Sequence, residues 1–309
     1  MSDRTVTETV PAALAGERLD RIISFVGDLS RSEAAKTIDA GGVRVDGVAA
    51  NSGKVRLDEG QTVEVDLNAI PVAPLPGPDP DVEFGVVYAD DDVIVIDKPA
   101  GLVVHPGAGN VEATLAHGLL ARFPDLDGVG DPIRPGIVHR LDAGSSGLLV
   151  VARHDAAVEA LIAQFADHSA TRVYTAVVWG MPEAPHGIID APLGRSKSDP
   201  LRMAVVADGR PSRTDYRTIG SYTSPAPVSL LECRLETGRT HQIRVHLSSI
   251  NHPLVGDPVY GHRRPNLGLQ RPFLHASQLA FDHPGTGDRV TFEAPLASDL
   301  QAWIDQAEI

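Results

Sequence analysis

Between residues 15 and 68 the spacing of apolar positions changes period once. Leu19, Ile22, Ile23 and Val26 recur at helical spacing and mark one buried face. Ser30 and Glu33 stand at the spacing of a capping box that opens a second helix, and Gly41-Gly42 stop it. Val43-Arg44-Val45, the turn Asp46-Gly47, and the runs Lys54–Leu57 and Thr62–Leu67 then carry strand signals. This predicts a module of two helices followed by a small β hairpin or meander. A module this short has a small core and depends on strong local signals.

From Val82 onward the pattern is mixed. Phe84–Tyr88 and Val93–Asp97 predict two strands joined by the turn Asp90-Asp91-Asp92. Thr114–Phe123 and Ala156–Phe165 predict amphipathic helices, and Val173–Trp179 and Val228–Leu235 predict strands. The apolar runs on either side of His139–Gly147 predict buried strands, with Gly144-Ser145-Ser146-Gly147 as the turn between them. There is no strict strand–helix–strand alternation and no internal repeat. The expected class is therefore α+β, with a mixed, mostly antiparallel sheet.

Ala69–Pro80 holds five prolines in twelve positions and predicts an extended, semi-rigid spacer. The chain then divides into a disordered tail (1–14), the small module (15–68), a proline-rich linker (69–81) and a large domain (82–309). Composition narrows the chemistry. Cys233 is the single cysteine, which excludes an intrachain disulfide and a Cys-based zinc site. The N-terminus has neither the basic start nor the apolar core of a secretory signal, and no apolar run approaches ~20 residues, so a cytoplasmic protein without membrane contact is expected. The formal net charge of −14 argues against holding nucleic acid by overall charge, though not against a cleft that concentrates arginine.

Asp142 stands out as candidate chemistry. It follows Arg140 by two positions, at the lip of a Gly- and Ser-rich turn between apolar runs. A turn aspartate usually caps nearby backbone N–H groups, but loops on rigid frames also carry catalytic groups. Other chemistries fit poorly. Twelve histidines include no His-Glu-x-x-His, and His241 and His246 are five apart, off one helical face, so no metal is expected. Ser145, His139 and Asp142 lie too close for a hydrolase triad and lack its Gly-x-Ser-x-Gly elbow. No glycine-rich phosphate loop is present.

Four segments belong together: Asp97-Lys98-Pro99-Ala100-Gly101-Leu102-Val103-Val104-His105-Pro106; His139-Arg140-Leu141-Asp142; Arg172-Val173-Tyr174; and Thr237-Gly238-Arg239-Thr240-His241-Gln242-Ile243-Arg244, followed by His252–Asp257. In this order they resemble the RluA-type pseudouridine synthases, most closely the RluD-like branch acting on large-subunit ribosomal RNA. The small module resembles the S4 RNA-binding domain through Glu17-Arg18-Leu19-Asp20-Arg21, Ser30–Ala34 and Gly42–Gly47. The resemblance spans nearly the whole chain. It implies catalysis by Asp142, stacking of the target uracil on Tyr174 with a phenol available for proton transfer, and pairing of Arg244 with Asp142. It also implies that Arg140 fills the gap left by the extruded uridine, and that Leu247 or a nearby apolar residue lines the base pocket. In the S4 module it implies Arg31, Lys36 and Arg44 on the RNA face, although residues 1–67 hold eight Lys/Arg against twelve Asp/Glu. Arg239 and His241 are expected to touch the RNA backbone or to support the active-site wall, and Lys98 and His105 stay open in the same way. RNA, favouring 23S ribosomal RNA, is the implied partner. No cofactor and no obligate protein partner are implied. The non-enzyme alternative is an RNA-binding or ribosome-assembly factor; the intact Asp142, Tyr174 and Arg244 argue for turnover.

The chemistry agrees with these residue types. A carboxylate acts as nucleophile or base only when ionised, and a nearby guanidinium favours that form. A stacked uracil must leave the strand before it can be turned, and an aromatic ring returns ~1–3 kcal/mol of lost stacking.

Overall fold

The computed structural model describes residues 5–27, 29, 31–69, 75–107, 110–196, 199 and 202–308; the side chains of residues 31 and 32 lie outside that description. The chain forms two compact units, 1–73 and 74–309.

The first unit contains β1 (Thr5–Thr9), α1 (Leu19–Val26), α2 (Arg31–Asp39), β2 (Val43–Val45), β3 (Val48–Ala49) and β4 (Thr62–Asp66). Its sheet runs β1-β4-β2-β3, and Leu19, Ile22, Ile23, Ala34, Ile38, Val43, Val63 and Val65 close the core. Asp46 and Gly47 both take positive φ, which suits the tight β2–β3 hairpin. Two expectations need correction. The tail 1–14 is not disordered throughout: Thr5–Thr9 pairs antiparallel with β4, and Val10 is buried. Thr-Val-Thr-Glu-Thr lacks an apolar stripe because this edge strand is held by backbone pairing and leaves its side chains largely in solvent. Lys54–Leu57 is not a strand; Arg56 makes one bridge to Arg18, and Leu57 fills the core. Ser30 of the expected capping box lies outside the described residues, as does the middle of the expected linker.

The second unit contains β5 (Gly85–Ala89), β6 (Val93–Lys98), α3 (Leu115–Arg122), β7 (Ser146–Ala152), α4 (Asp155–Ala166), β8 (Thr171–Trp179), β9 (His186–Asp190), β10 (Leu193–Arg195), β11 (Met203–Val205), β12 (Arg213–Tyr222), β13 (Val228–Leu235), α5 (Gln242–Ser249), β14 (Leu274–Asp282), β15 (Arg289–Glu293) and α6 (Ser298–Gln306). A nine-stranded sheet runs β5-β6-β7-β14-β8-β13-β12-β9, with β15 on β14. Among the described pairings only β7–β14 is parallel, so the sheet is mixed and mostly antiparallel. Strand periodicity assigns the two faces. Ile94 and Ile96 join the core with α3 and α5, while Val93 and Val95 join the core with α4.

Two further differences have physical causes. Ile137-Val138 is not a strand, because Ile137 makes one bridge to Val151 and the chain turns at Gly136. Helix α3 is not amphipathic: Leu115 through Leu120 are all buried, and Gly118 lets it lie against Val82.

Candidate active site

Asp142 lies in the loop that leads into β7, and the surrounding frame holds that loop by its carbonyls. The Ala143 carbonyl accepts from Gly101 N–H (2.7 Å) and from Lys98 Nζ (3.3 Å), and the Gly144 carbonyl accepts from Arg271 Nη1 (3.3 Å). Lys98 is fully buried and also donates to the Pro99 and Leu102 carbonyls. Burial holds its ammonium down at about 7, partly opposed by the Asp142 charge. On the other side of the loop, His139 Nε2 accepts from Val150 N–H at 3.0 Å, so His139 is an anchor rather than a member of a triad. Gly147 carries φ +109°, and any Cβ there would strike the backbone of Ala276. That close approach lets β7 begin directly after the loop.

The opposite wall is the start of α5. Arg244 Nη1 donates to Asp142 Oδ2 at 3.2 Å, while Nε and Nη2 donate to Asp257 at 2.8 and 3.0 Å. Asp257 is fully enclosed and takes two further bonds from the Val259 and Tyr260 N–H groups. Burial opposes ionisation of both partners, yet their hydrogen bonds and opposite charges win. The Arg244 pKa lies above its ordinary value and the Asp257 pKa below. The Tyr260 ring lies 5.2 Å from the Arg244 guanidinium. His241, in a left-handed conformation at the helix N-cap, bonds the Tyr260 hydroxyl at 2.9 Å and sits 4.0 Å from Asp142. Gln242 ties the approach loop together: its Oε1 accepts from Thr237 Oγ1 and Arg239 N–H, and its Nε2 donates to the Arg213 carbonyl and Thr214 Oγ1.

Strand β8 supplies the floor. Tyr174 is buried, and burial pushes its phenol up to about 12, so the ring presents a neutral hydroxyl. Asp142, Tyr174 and Arg244 border one cleft of about 460 Å³ including its mouth, together with Arg140, Arg172, Arg239 and His241. Arg140 is exposed, and Arg239 donates from Nε to the Pro211 carbonyl.

Leu247 does not reach this cleft. It is fully buried in the core beneath α5, one turn beyond Arg244, and the apolar lining comes from Leu141, Leu235, Ile243 and Leu274. In the first unit Lys36 and Arg44 are exposed, with Arg44 bonded to the Gly47 carbonyl; the Arg31 side chain lies outside the description. His105 is half-buried near Arg140, whose charge adds to burial in lowering its pKa. The sequence assigns no role to Asp257, Tyr260, Gln242 or Arg172. Only the chemical type of Asp257, a carboxylate downstream of the arginine motif, hinted at a second acid. Away from the cleft, Asp90, Asp92 and His283 converge, but Asp90 already bonds Tyr88, Asp92, Val93 and His283.

Comparison with known proteins agrees with this geometry. Residues 92–249 match the RNA pseudouridylate synthase family and residues 17–63 match the S4 domain. An RNA pseudouridine synthase of Chloroflexus aurantiacus, itself uncharacterized, is 46% identical over 97% of this chain and 92% of its own length. The ribosomal large subunit pseudouridine synthase D of Zymomonas mobilis is 44% identical over 95% of this chain and 94% of its own. Among solved structures, human RNA pseudouridylate synthase domain containing 1 superposes with a TM-score of 0.58 at 28% identity, covering 73% of this chain and 89% of that one.

Proposed function

The chain belongs to the RNA pseudouridylate synthase family, and we propose that it isomerises specific uridines of 23S ribosomal RNA through Asp142, without a cofactor. The observation that carries this reading is the shared cleft: one carboxylate, one guanidinium held from behind by a second carboxylate, and one neutral phenol ring. The reaction breaks the glycosidic C–N bond, turns the uracil and joins its 5-position to the same sugar carbon. The hydrogen at that position leaves to solvent as a proton, and the freed ring nitrogen takes a proton up. No electrons enter or leave, so nothing beyond acid–base and nucleophilic groups is needed.

Asp142 acts as the ionised oxygen that meets the sugar or the base. Arg244 attracts it with about 5 kcal/mol at 3.2 Å and an effective dielectric of ~20, enough to oppose a moderate desolvation penalty. The uridine enters extruded from its strand, Tyr174 stacks on it, and Arg140 occupies the space it leaves. Ribosomal RNA as the substrate rests on the name of the Zymomonas relative and on the S4 match.

The test is tritium release from RNA carrying 5-tritiated uridine. The wild-type chain should release tritium, and Asp142→Asn should lose release while still binding RNA. Comparable turnover by Asp142→Asn would reject the role of the carboxylate. Pseudouridine mapping of 23S RNA from cells with and without the gene then identifies the target; an unchanged map rejects the ribosomal assignment.

A further inference from the structure

Arg172 differs from Arg244, the other buried arginine that lines the cleft among the described residues. Its side chain lines the cleft but is only 7% exposed. A guanidinium carries five N–H donors, and burial without a partner is expensive. Among the described residues Arg172 has no carboxylate partner. Nη2 donates to the Glu236 carbonyl at 3.0 Å, the Phe165 ring lies 5.2 Å from its central carbon, and Nε is buried with no acceptor. Burial first, and the like charge of Arg239 with it, lower the Arg172 pKa from its ordinary value.

A second observation concerns Gly238, an exposed residue on the rim of the same cleft. Its φ is not in the left-handed region, so its backbone does not require glycine. A Cβ there would instead collide with Arg172 Nη1. Glycine at 238 therefore lets the guanidinium lie against the rim, in the place a side chain would take.

We propose that Arg172, seated against the rim at Gly238, forms an anion subsite that receives a phosphate oxygen of the RNA backbone. The inference rests on RNA being the ligand of this cleft and adds where one phosphate goes. An incoming phosphate supplies the acceptors and the negative charge that the protein leaves out. The fork of Arg172 holds the strand on the β8 side while Arg244 stays committed to Asp142 and Asp257. The site is built for an anion that arrives with the substrate, because a resident carboxylate would compete with it.

The experiment uses the full chain and a 23S ribosomal RNA transcript carrying 5-tritiated uridine, with filter binding across a salt series, tritium release, and thermal unfolding of each variant. Arg172→Gln should lower the slope of log affinity against log salt by roughly 0.7, the value for one single-strand phosphate contact. Affinity at moderate salt should fall about tenfold, as for loss of one charge-assisted bond. Arg172→Lys should keep the slope and lose part of the affinity. Gly238→Ala keeps the charge but displaces the guanidinium, and should weaken binding even if Arg172→Gln fails to fold. An unchanged slope in Arg172→Gln, or full-strength binding by Gly238→Ala, overturns the proposal. A lowered unfolding midpoint with an unchanged slope would assign Arg172 only to holding the Glu236 carbonyl. Absence of tritium release by the wild type would sink the isomerase reading instead, and the salt slope would still decide this one.

Discussion

The two sides of the cleft carry the same functional group in opposite states. On the α5 side, Arg244 has two carboxylate partners and an aromatic ring against its face. On the β8 side, Arg172 has a carbonyl and an aromatic ring, and no carboxylate among the described residues. Both are buried to nearly the same extent. The difference shows that burial alone does not say what an arginine does. Arg244 is held by fixed charges, so it can hold Asp142 in place before any substrate arrives. Arg172 keeps donors in reserve for a group that comes and goes.

The largest test of this contrast removes the anchor from the balanced side. In Asp257→Asn the bidentate pair is lost and Arg244 keeps only Asp142, which makes it more like Arg172. Asp257 is fully enclosed, so breaking the pair should destabilise the chain by about 3–5 kcal/mol, read from urea midpoints. With the guanidinium free to move, tritium release should fall about a hundredfold, the scale of a 1 Å misplacement. The Asp257 pKa is depressed in the fold, so this contribution is present above the ordinary carboxylate range and is lost as pH falls through the folded value. The wild type should therefore lose more stability than the variant below about pH 4. Turnover close to wild type in Asp257→Asn would show that Arg244 needs no rear support.

A smaller effect separates the cleft from the core under it. Leu247 is fully buried and its volume belongs to the packing around Tyr174 and Cys233. Leu247→Ala should destabilise by about 2–5 kcal/mol through the cavity it leaves, with little change in KM for RNA. Leu235→Ala, on the cleft rim, should show the reverse balance. A KM increase in Leu247→Ala at temperatures where it stays folded would return Leu247 to the base pocket.

These outcomes bear on what could be read without coordinates. The cleft residues were legible because a motif records them: His139–Asp142, Tyr174 and Arg239–Arg244 are short runs whose order carries information. Arg140, Asp142, Tyr174, Arg239, His241 and Arg244 border one cleft, with His139 behind it. Asp257 was not legible as the partner of Arg244, because nothing local links a helix to a loop thirteen positions on. Sequence could not choose between Leu247 and its apolar neighbours for the cleft wall, because α5 is buried on almost every side and an apolar residue one turn from Arg244 gives no sign of which wall it meets. Thr5–Thr9 was missed for the opposite reason: a strand held by backbone bonds at a sheet edge needs no apolar alternation. The state of Arg172 could not be read at all, since a missing partner is a property of three-dimensional surroundings.

The finest test asks whether Arg172 is as uncompensated as its contacts imply, using His139 as a reporter. The His139 ring lies 4.5 Å from the Phe165 ring in a tilted pair, and Phe165 also meets the Arg172 guanidinium. Burial first, and the Arg172 charge second, hold the His139 pKa down at about 3. Above pH 6.5 the ring is neutral in both folded and unfolded chains, and its contribution to stability is complete. As pH falls from 6.5 toward 3, the unfolded chain binds a proton that the folded chain refuses, so stability drops. The loss should reach about 1.4 kcal/mol at pH 5.5, and His139→Gln should lack this component. In Arg172→Gln the imidazole should titrate nearer to 6.5 than in the wild type, as followed by ring NMR signals across pH. A guanidinium already neutralised by a nearby carboxylate would exert little net field, and its removal would leave His139 where it was. An unmoved His139 titration would therefore mean that the β8 side is as balanced as the α5 side, and the contrast between the two arginines would disappear.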